Sequence, residues 1–83
     1  MISNIIELRE VTHGDYATKC RFIQSFKQMI RHAEGFDELE PDQRESLDLI
    51  ATKIGRILFG NPDEADHWAD IAGYATLIAE RLK

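Results

Sequence analysis

Cysteine is nearly absent from this sequence: Cys20 is the only one in 83 residues. A lone thiol closes no internal disulfide, which excludes the disulfide frameworks of small secreted domains and fits a reducing, cytosolic compartment. Cys20 itself reads better as a small half-buried helix residue than as a reactive thiol. Long apolar runs are missing too, and none approaches the roughly 18 to 20 residues of a membrane span. The N-terminal "MISNIIELRE" has neither the basic start nor the small-residue cleavage site of a secretory signal. Positive charge is scarce: 10 Lys and Arg stand against 15 Asp and Glu, a net charge of −5. Nucleic-acid affinity rests largely on neutralising phosphates, so this balance argues against direct DNA or RNA binding. It suits divalent cations, or docking onto a basic protein surface. There is no Gly-rich phosphate loop, no nucleophile elbow, no Cys/His metal spacing and no HExxH.

What remains is a chain patterned for helices. No stretch alternates as a strand does, and residues 1–83 read as a single small helical domain. The arm "ISNIIELREV" places its apolar residues irregularly, with Ser3 as a candidate cap, and "THGD" breaks the chain at Gly14 with His13 as a turn residue. Asp15 then caps a helix over 16–34, in which Phe22, Ile23, Phe26, Met29, Ile30 and Ala33 recur at three and four. Its other side carries Arg21, Lys27 and Arg31, which read as a solvated face, and His32 near its end suits the helix dipole. Gly35 stops it. A second helix over 41–59 starts at Pro41, tolerated at a first helical position, with a stripe of Leu47, Ile50, Ala51, Ile54, Ile57 and Leu58 ending at Gly60. The third, over 62–82, opens on "NPDE", with Asn61 as cap, Pro62 at the first position and Glu64 completing a capping box.

The third helix has the cleanest stripe, Trp68, Ile71, Ala72, Ala75, Ile78, Ala79 and Leu82. Short loops make neighbouring helices antiparallel. The expected architecture is an all-α three-helix antiparallel bundle with a short N-terminal arm. Its expected core is Phe22, Phe26, Ile50, Ile54, Trp68, Ile71 and Ala75. As a core residue, Trp68 would cost about 3–5 kcal/mol on replacement by alanine. A chain this small buries only somewhat more than about 60% of its extended surface, so completion by dimerisation is expected.

The charged residues offer a metal reading and a surface reading. Glu45 and Asp48 lie three apart on the second helix; Asp66, His67 and Asp70 cluster on the third. Residues three or four apart share a helix side, and carboxylates from facing helices hold Mg²⁺. Each residue advances about 100° round a helix. By that count Glu45, Asp48 and Thr52 lie opposite a stripe centred on Ile54, and Asp66, Asp70 and Leu77 lie opposite one centred on Ala75, so both acid sets should face water. Those far sides are not purely polar. Leu49 and Gly55 flank one, and Gly73 and Leu77 lie on the other. Glycine within a helix costs about 1 kcal/mol against alanine and often marks close approach of a backbone. Leu49, Asp66, Asp70, Gly73 and Leu77 are therefore the candidates for a partner or subunit interface. His67 sits between the faces, more in keeping with a boundary residue than with a metal ligand.

With "RE-x-THGDY" at 9–16, "LDLIATKIGRIL" at 47–58 and "DHWADIAGYATL" at 66–77, nearly the whole chain resembles a family of small tailed-phage and prophage proteins. That resemblance implies a phage origin, an all-α fold and residence in the host cytoplasm, and no activity. A weaker likeness is to all-α nucleotide pyrophosphohydrolases of the MazG type, which bind Mg²⁺ and a nucleoside triphosphate through ExxE and ExxD helices. "ESLD" (Glu45, Asp48) and "HWAD" (His67, Asp70) stand at the two motifs, with aspartate replacing the last glutamate of the first and histidine replacing the glutamate of the second. The expected function is that of a non-catalytic phage accessory protein. It would bind a host protein or defence complex, as an inhibitor of host-takeover or counter-defence type, without a cofactor and as a homodimer or larger assembly. The alternative is a Mg²⁺-dependent nucleotide-binding or pyrophosphohydrolase-like protein using Glu45, Asp48, His67 and Asp70.

Overall fold

A computed structural model describes residues 15–83. The N-terminal arm, Ser3 and His13 lie outside the described residues. Three helices follow one another, α1 (Tyr16–Arg31), α2 (Pro41–Leu58) and α3 (Ala65–Arg81), with a short 3-10 turn at Phe36–Glu38 and no strand among the described residues. The all-α three-helix architecture expected from the pattern is the one observed.

Each boundary has a local cause. The Asp15 carbonyl accepts the Lys19 N–H at 3.0 Å, and its carboxylate accepts the Thr18 hydroxyl, which holds the Asp15 carboxyl below its usual range. α1 ends three residues before the expected Glu34. There the Ala33 N–H turns back to the Ile30 carbonyl at 3.1 Å, an i to i−3 bond that tightens the last turn. The His32 Nδ1 lies 2.8 Å from the Gln28 carbonyl oxygen, which can only accept, so that nitrogen carries the proton. α2 starts at Pro41 as expected, and the Glu40 N–H donates to Gln43 Oε1 at 2.8 Å. The Arg44 guanidinium donates to the carbonyls of Leu39 and Asp37 at 3.2 and 2.9 Å and lies over the Phe36 ring, tying the 3-10 turn to α2.

The start of α3 departs from expectation. It begins at Ala65, with Glu64 as the flanking residue, and not at Pro62. Asn61 Oδ1 accepts the Asp63 N–H at 3.0 Å, and the Asn61 carbonyl accepts from Glu64 at 3.3 Å. Asparagine here makes a turn of its own with the chain two residues on, and that turn competes with helix capping. The freed Pro62 carbonyl accepts the Trp68 indole N–H at 2.8 Å.

α2 is the element against which both other helices pack, each antiparallel to it. On one side Ile23 of α1 presses on Gly55, Arg31 reaches Asp48 at 3.6 Å, and Phe22 meets Phe59 with ring centroids 5.1 Å apart. On the other, Asp42 pairs with Arg81 near the end of α3, and Lys53 with Asp70 at 2.7 Å nearer its start.

The core differs from the expected one. Among the described residues the buried hydrophobics are Ile23 and Ala51, joined by Gly55 and by two polar side chains, Lys19 and His67. Phe22, Phe26, Ile50, Ile54 and Ile71 are half-buried, whereas Ala75 is exposed and Trp68 is 56% exposed. α3 sets His67, Ile71, Tyr74 and Ile78 toward α2, a face turned by about 70° from the stripe centre at Ala75. Two physical terms favour that rotation. Ile71, Tyr74 and Ile78 remove more apolar surface from water than Ala72, Ala75 and Ala79 would. It also brings Asp70 and Arg81 to Lys53 and Asp42.

The exposed setting changes what Trp68 contributes. Trp68→Phe keeps a ring and removes only the donor to Pro62, so it should cost about 0.5–1.5 kcal/mol, the range for one hydrogen bond. Chemical denaturation measures this; a loss as large as that of a core tryptophan would show the ring to be enclosed.

The Asp42–Arg81 pair makes a pH prediction. Its guanidinium donates twice to the Asp42 carboxylate, once at 2.8 Å, and holds that carboxyl below the usual aspartate range. A carboxyl lowered in the folded state binds fewer protons there than in the unfolded chain at the same pH. Its contribution is therefore complete above the ordinary aspartate range and is lost as pH falls through the lowered folded value. In Arg81→Gln the NMR titration midpoint of Asp42 should move up toward the ordinary aspartate range, since the backbone N–H groups of Asp42 and Gln43 still favour the carboxylate. An unmoved midpoint would show that the pair does not persist in solution.

Candidate functional site

Among the described residues, a charged groove and an apolar one run between α2 and α3. The first is charged, about 370 Å³, and lined by Lys53 and Arg56 of α2, Asn61 and Glu64 of the turn, and Asp66, His67 and Asp70 of α3. It exists because two helix-period pairs meet. Lys53 and Arg56 are three apart on α2, Asp66 and Asp70 four apart on α3, and the antiparallel register sets one pair against the other. Lys53 and Asp70, paired with each other, both line the groove. Lys19 of α1 lies close enough to Arg56 to feel its charge; burial, followed by that repulsion, lowers the Lys19 pKa. Cations thus form one wall and acids the other. The groove is suited to a polar surface carrying both signs rather than to a single small ion.

His67 sits at the inner edge of this groove. It is 6% exposed, and its Nδ1 has no hydrogen-bond partner among the described residues. A buried polar atom left unpaired costs free energy and needs a reason.

The second groove is apolar, about 310 Å³, between Leu39, Leu47 and Ile50 on one side and Ala75 and Ile78 on the other. It is continuous through Ala75 with the exposed stripe of α3.

The structure disperses the four residues of the metal reading. Glu45 is exposed on α2. Asp48 faces α1 and pairs with Arg31, not α3, while Asp70 pairs with Lys53. His67 is buried. Among the described residues no three His, Cys, Asp or Glu side chains come together in a way that would hold a metal ion. The expectation that Asp48 and Asp70 face open water is corrected, since each is half-buried and lies against a cation of a neighbouring helix. For Asp70 this follows from the rotation of α3 that displaced Trp68; for Asp48 it follows from the packing of α1 on α2, which brings Arg31 to it.

The interface candidates separate in the same way. Gly73 and Leu77 lie open, with nothing within 4 Å of a Cβ placed on Gly73 and Leu77 68% exposed. Asp66 lines the charged groove, Asp70 is engaged within the chain, and Leu49 is half-buried on α2. Gly55, expected to mark a second packed surface, is used inside the chain against Ile23. Sequence reasoning missed Lys53, Arg56 and Lys19. The signal was present, because Lys53 and Arg56 share a helix side, but it gains meaning only once the antiparallel register to Asp66 and Asp70 is known.

No helix among the described residues is long and apolar enough to cross a membrane. Comparison with protein-family models, with curated proteins and with solved structures finds no match.

Proposed function

We propose that this is a phage-encoded accessory protein of host-takeover or counter-defence type. It acts without catalysis by binding a host protein or complex in the host cytoplasm, as an inhibitor and as a homodimer or larger assembly. One observation carries the binding reading. Among the described residues two hydrophobic side chains are buried while seven large ones are exposed, Met29, Leu77 and Leu82 among them. Scattered exposed leucines are ordinary, but a chain with more large apolar side chains in the open than in its core holds surface in reserve for a partner. The likeness of the THGD and DHWADIAGYA segments to small phage proteins supports the host setting, and the mixed charge of the groove beside His67 supports a protein surface as the ligand.

The test is a pull-down from bacterial host lysate with the tagged protein and with Leu77→Glu. Position 77 is open, so the variant should keep the wild-type melting curve. The expected result is one stoichiometric host protein retained by the wild type and lost by the variant. Mg²⁺-dependent release of pyrophosphate from a nucleoside triphosphate panel, with no host protein retained, would overturn the reading in favour of an enzyme.

A further inference from the structure

We propose that the charged groove is a carboxylate-binding site, in which Arg56 and the His67 ring take up the side chain of an aspartate or glutamate on the host protein. This rests on the reading that the protein binds a host protein, and it names the chemistry of the contact. The register of α2 against α3 points to it. Asp42 pairs with Arg81, and Lys53 with Asp70, so eleven residues forward on α2 match eleven backward on α3. Three more on each helix bring Arg56 opposite His67, and both line the groove. The first two rungs are closed by ion pairs. The third is open: among the described residues Arg56 has no carboxylate partner, and the buried Nδ1 of His67 has no hydrogen-bond partner.

A guanidinium only donates, and a histidine nitrogen takes its proton to suit the partner it meets, so one acceptor set between Arg56 and His67 serves both. Its charge follows from the neighbours. Lys19 of α1 is buried close to Arg56 and has no carboxylate partner among the described residues. Buried cations are ordinarily paired, so this end of the groove is short of negative charge. The opposite wall limits how much it accepts. Lys53 and Asp70 cancel, while Glu64 and Asp66 remain. They repel a doubly charged phosphate and leave a place for one carboxylate, whose two oxygens match the guanidinium fork. The surface beyond the groove makes that carboxylate part of a protein. Asp66, Asp70, Gly73 and Leu77 follow one another at four, three and four and share one side of α3. Leu77 is open, about 15 Å along the helix from His67. One protein surface covers both places, whereas a free carboxylate reaches only the groove.

The experiment uses the full chain with isotope-labelled histidine and follows the His67 ring by NMR as acetate, the carboxylate alone, replaces chloride at fixed pH and ionic strength. The His67 signals should shift to saturation while those of the exposed His32 stay in place. Arg56→Gln should weaken this binding about tenfold or more, and Arg21→Gln, the same change of charge at an exposed position of α1, should not. Should Arg56→Gln fail to fold, Arg56→Lys, which keeps the charge and loses the fork, should still weaken it. Inorganic phosphate should bind more weakly than acetate. The host protein retained by the wild type should be lost by the folded Arg56 variant and kept by Arg21→Gln. His67 signals that ignore acetate, or follow it equally when Arg56 is replaced, overturn the site. Tighter binding of phosphate overturns the carboxylate assignment. Acetate binding with host capture unchanged in the Arg56 variant overturns the host side chain as occupant, in favour of a free carboxylate. Acetate binding by a chain that retains no host protein at all overturns the host-binding reading and that occupant with it, while the site itself stands, so the two fail separately.

Discussion

Gly55→Val should lower stability by about 3 kcal/mol, at the upper end of what overpacking a core costs. Gly55 sits where α2 meets α1. A Cβ built there would lie 2.6 Å from Ile23 Cδ1 and closer still to Cγ1. No real side chain occupies that separation, so something must move. Ile23 is itself buried, and as a β-branched residue on a helix it has essentially one χ1 rotamer to offer. The strain therefore passes to the α1–α2 spacing. At about 4–8 °C per kcal/mol for a domain of this size, the melting midpoint should fall by roughly 12–24 °C. Gly55→Ala should fall less, because the clash is offset by about 1 kcal/mol of helix propensity. Combining Gly55→Ala with Ile23→Ala should then cost less than the two changes separately, by a coupling of about 1–2 kcal/mol, since each removes what the other strikes. A Gly55→Val protein melting at or above the wild type would show that α1 does not rest on α2 at this point.

The contrast between Gly55 and Trp68 shows what the sequence could convey. Periodicity placed three helices and their order, because apolar recurrence at three and four is a property of one helix at a time. Pro41 and Gly60 marked ends correctly for the same reason: a proline lacks its N–H whatever surrounds it. What periodicity could not supply was the rotation of α3. Its stripe is broad, and Ile71 and Ile78 belong equally to the face that packs and to the one that stays open. The choice between them depended on Lys53 and Asp42, residues of another helix. Asn61 gave a related difficulty, as it caps helices and makes turns with the same oxygen. The site followed the fold in this respect. Asp66, His67 and Asp70 were legible as a cluster, but their neighbours Lys53 and Arg56 were not, and with those cations beside them the cluster reads as half of a two-signed groove.

His67 gives the clearest case of a residue whose cost should be visible by removing it. Its ring is buried and its Nδ1 unpaired, a condition that typically costs about 1–3 kcal/mol. Leucine at this position carries no polar atom to leave unpaired and is a better helix former than histidine. His67→Leu should therefore stabilise the fold by about 1–2 kcal/mol, and the melting midpoint should rise accordingly. His67→Gln keeps polar atoms in the same place and should not stabilise. A fall in the melting midpoint of His67→Leu would show that Nδ1 has a partner after all, an ordered water being the simplest. If stability rises as expected, the same variant carried through the host-lysate pull-down shows why the histidine is there. A protein keeps an unfavourable buried group where it serves a site. Retained stability with lost capture would assign His67 to the binding groove between Lys53, Arg56 and Asp66; retained capture would confine that surface to the outer side of α3 around Leu77.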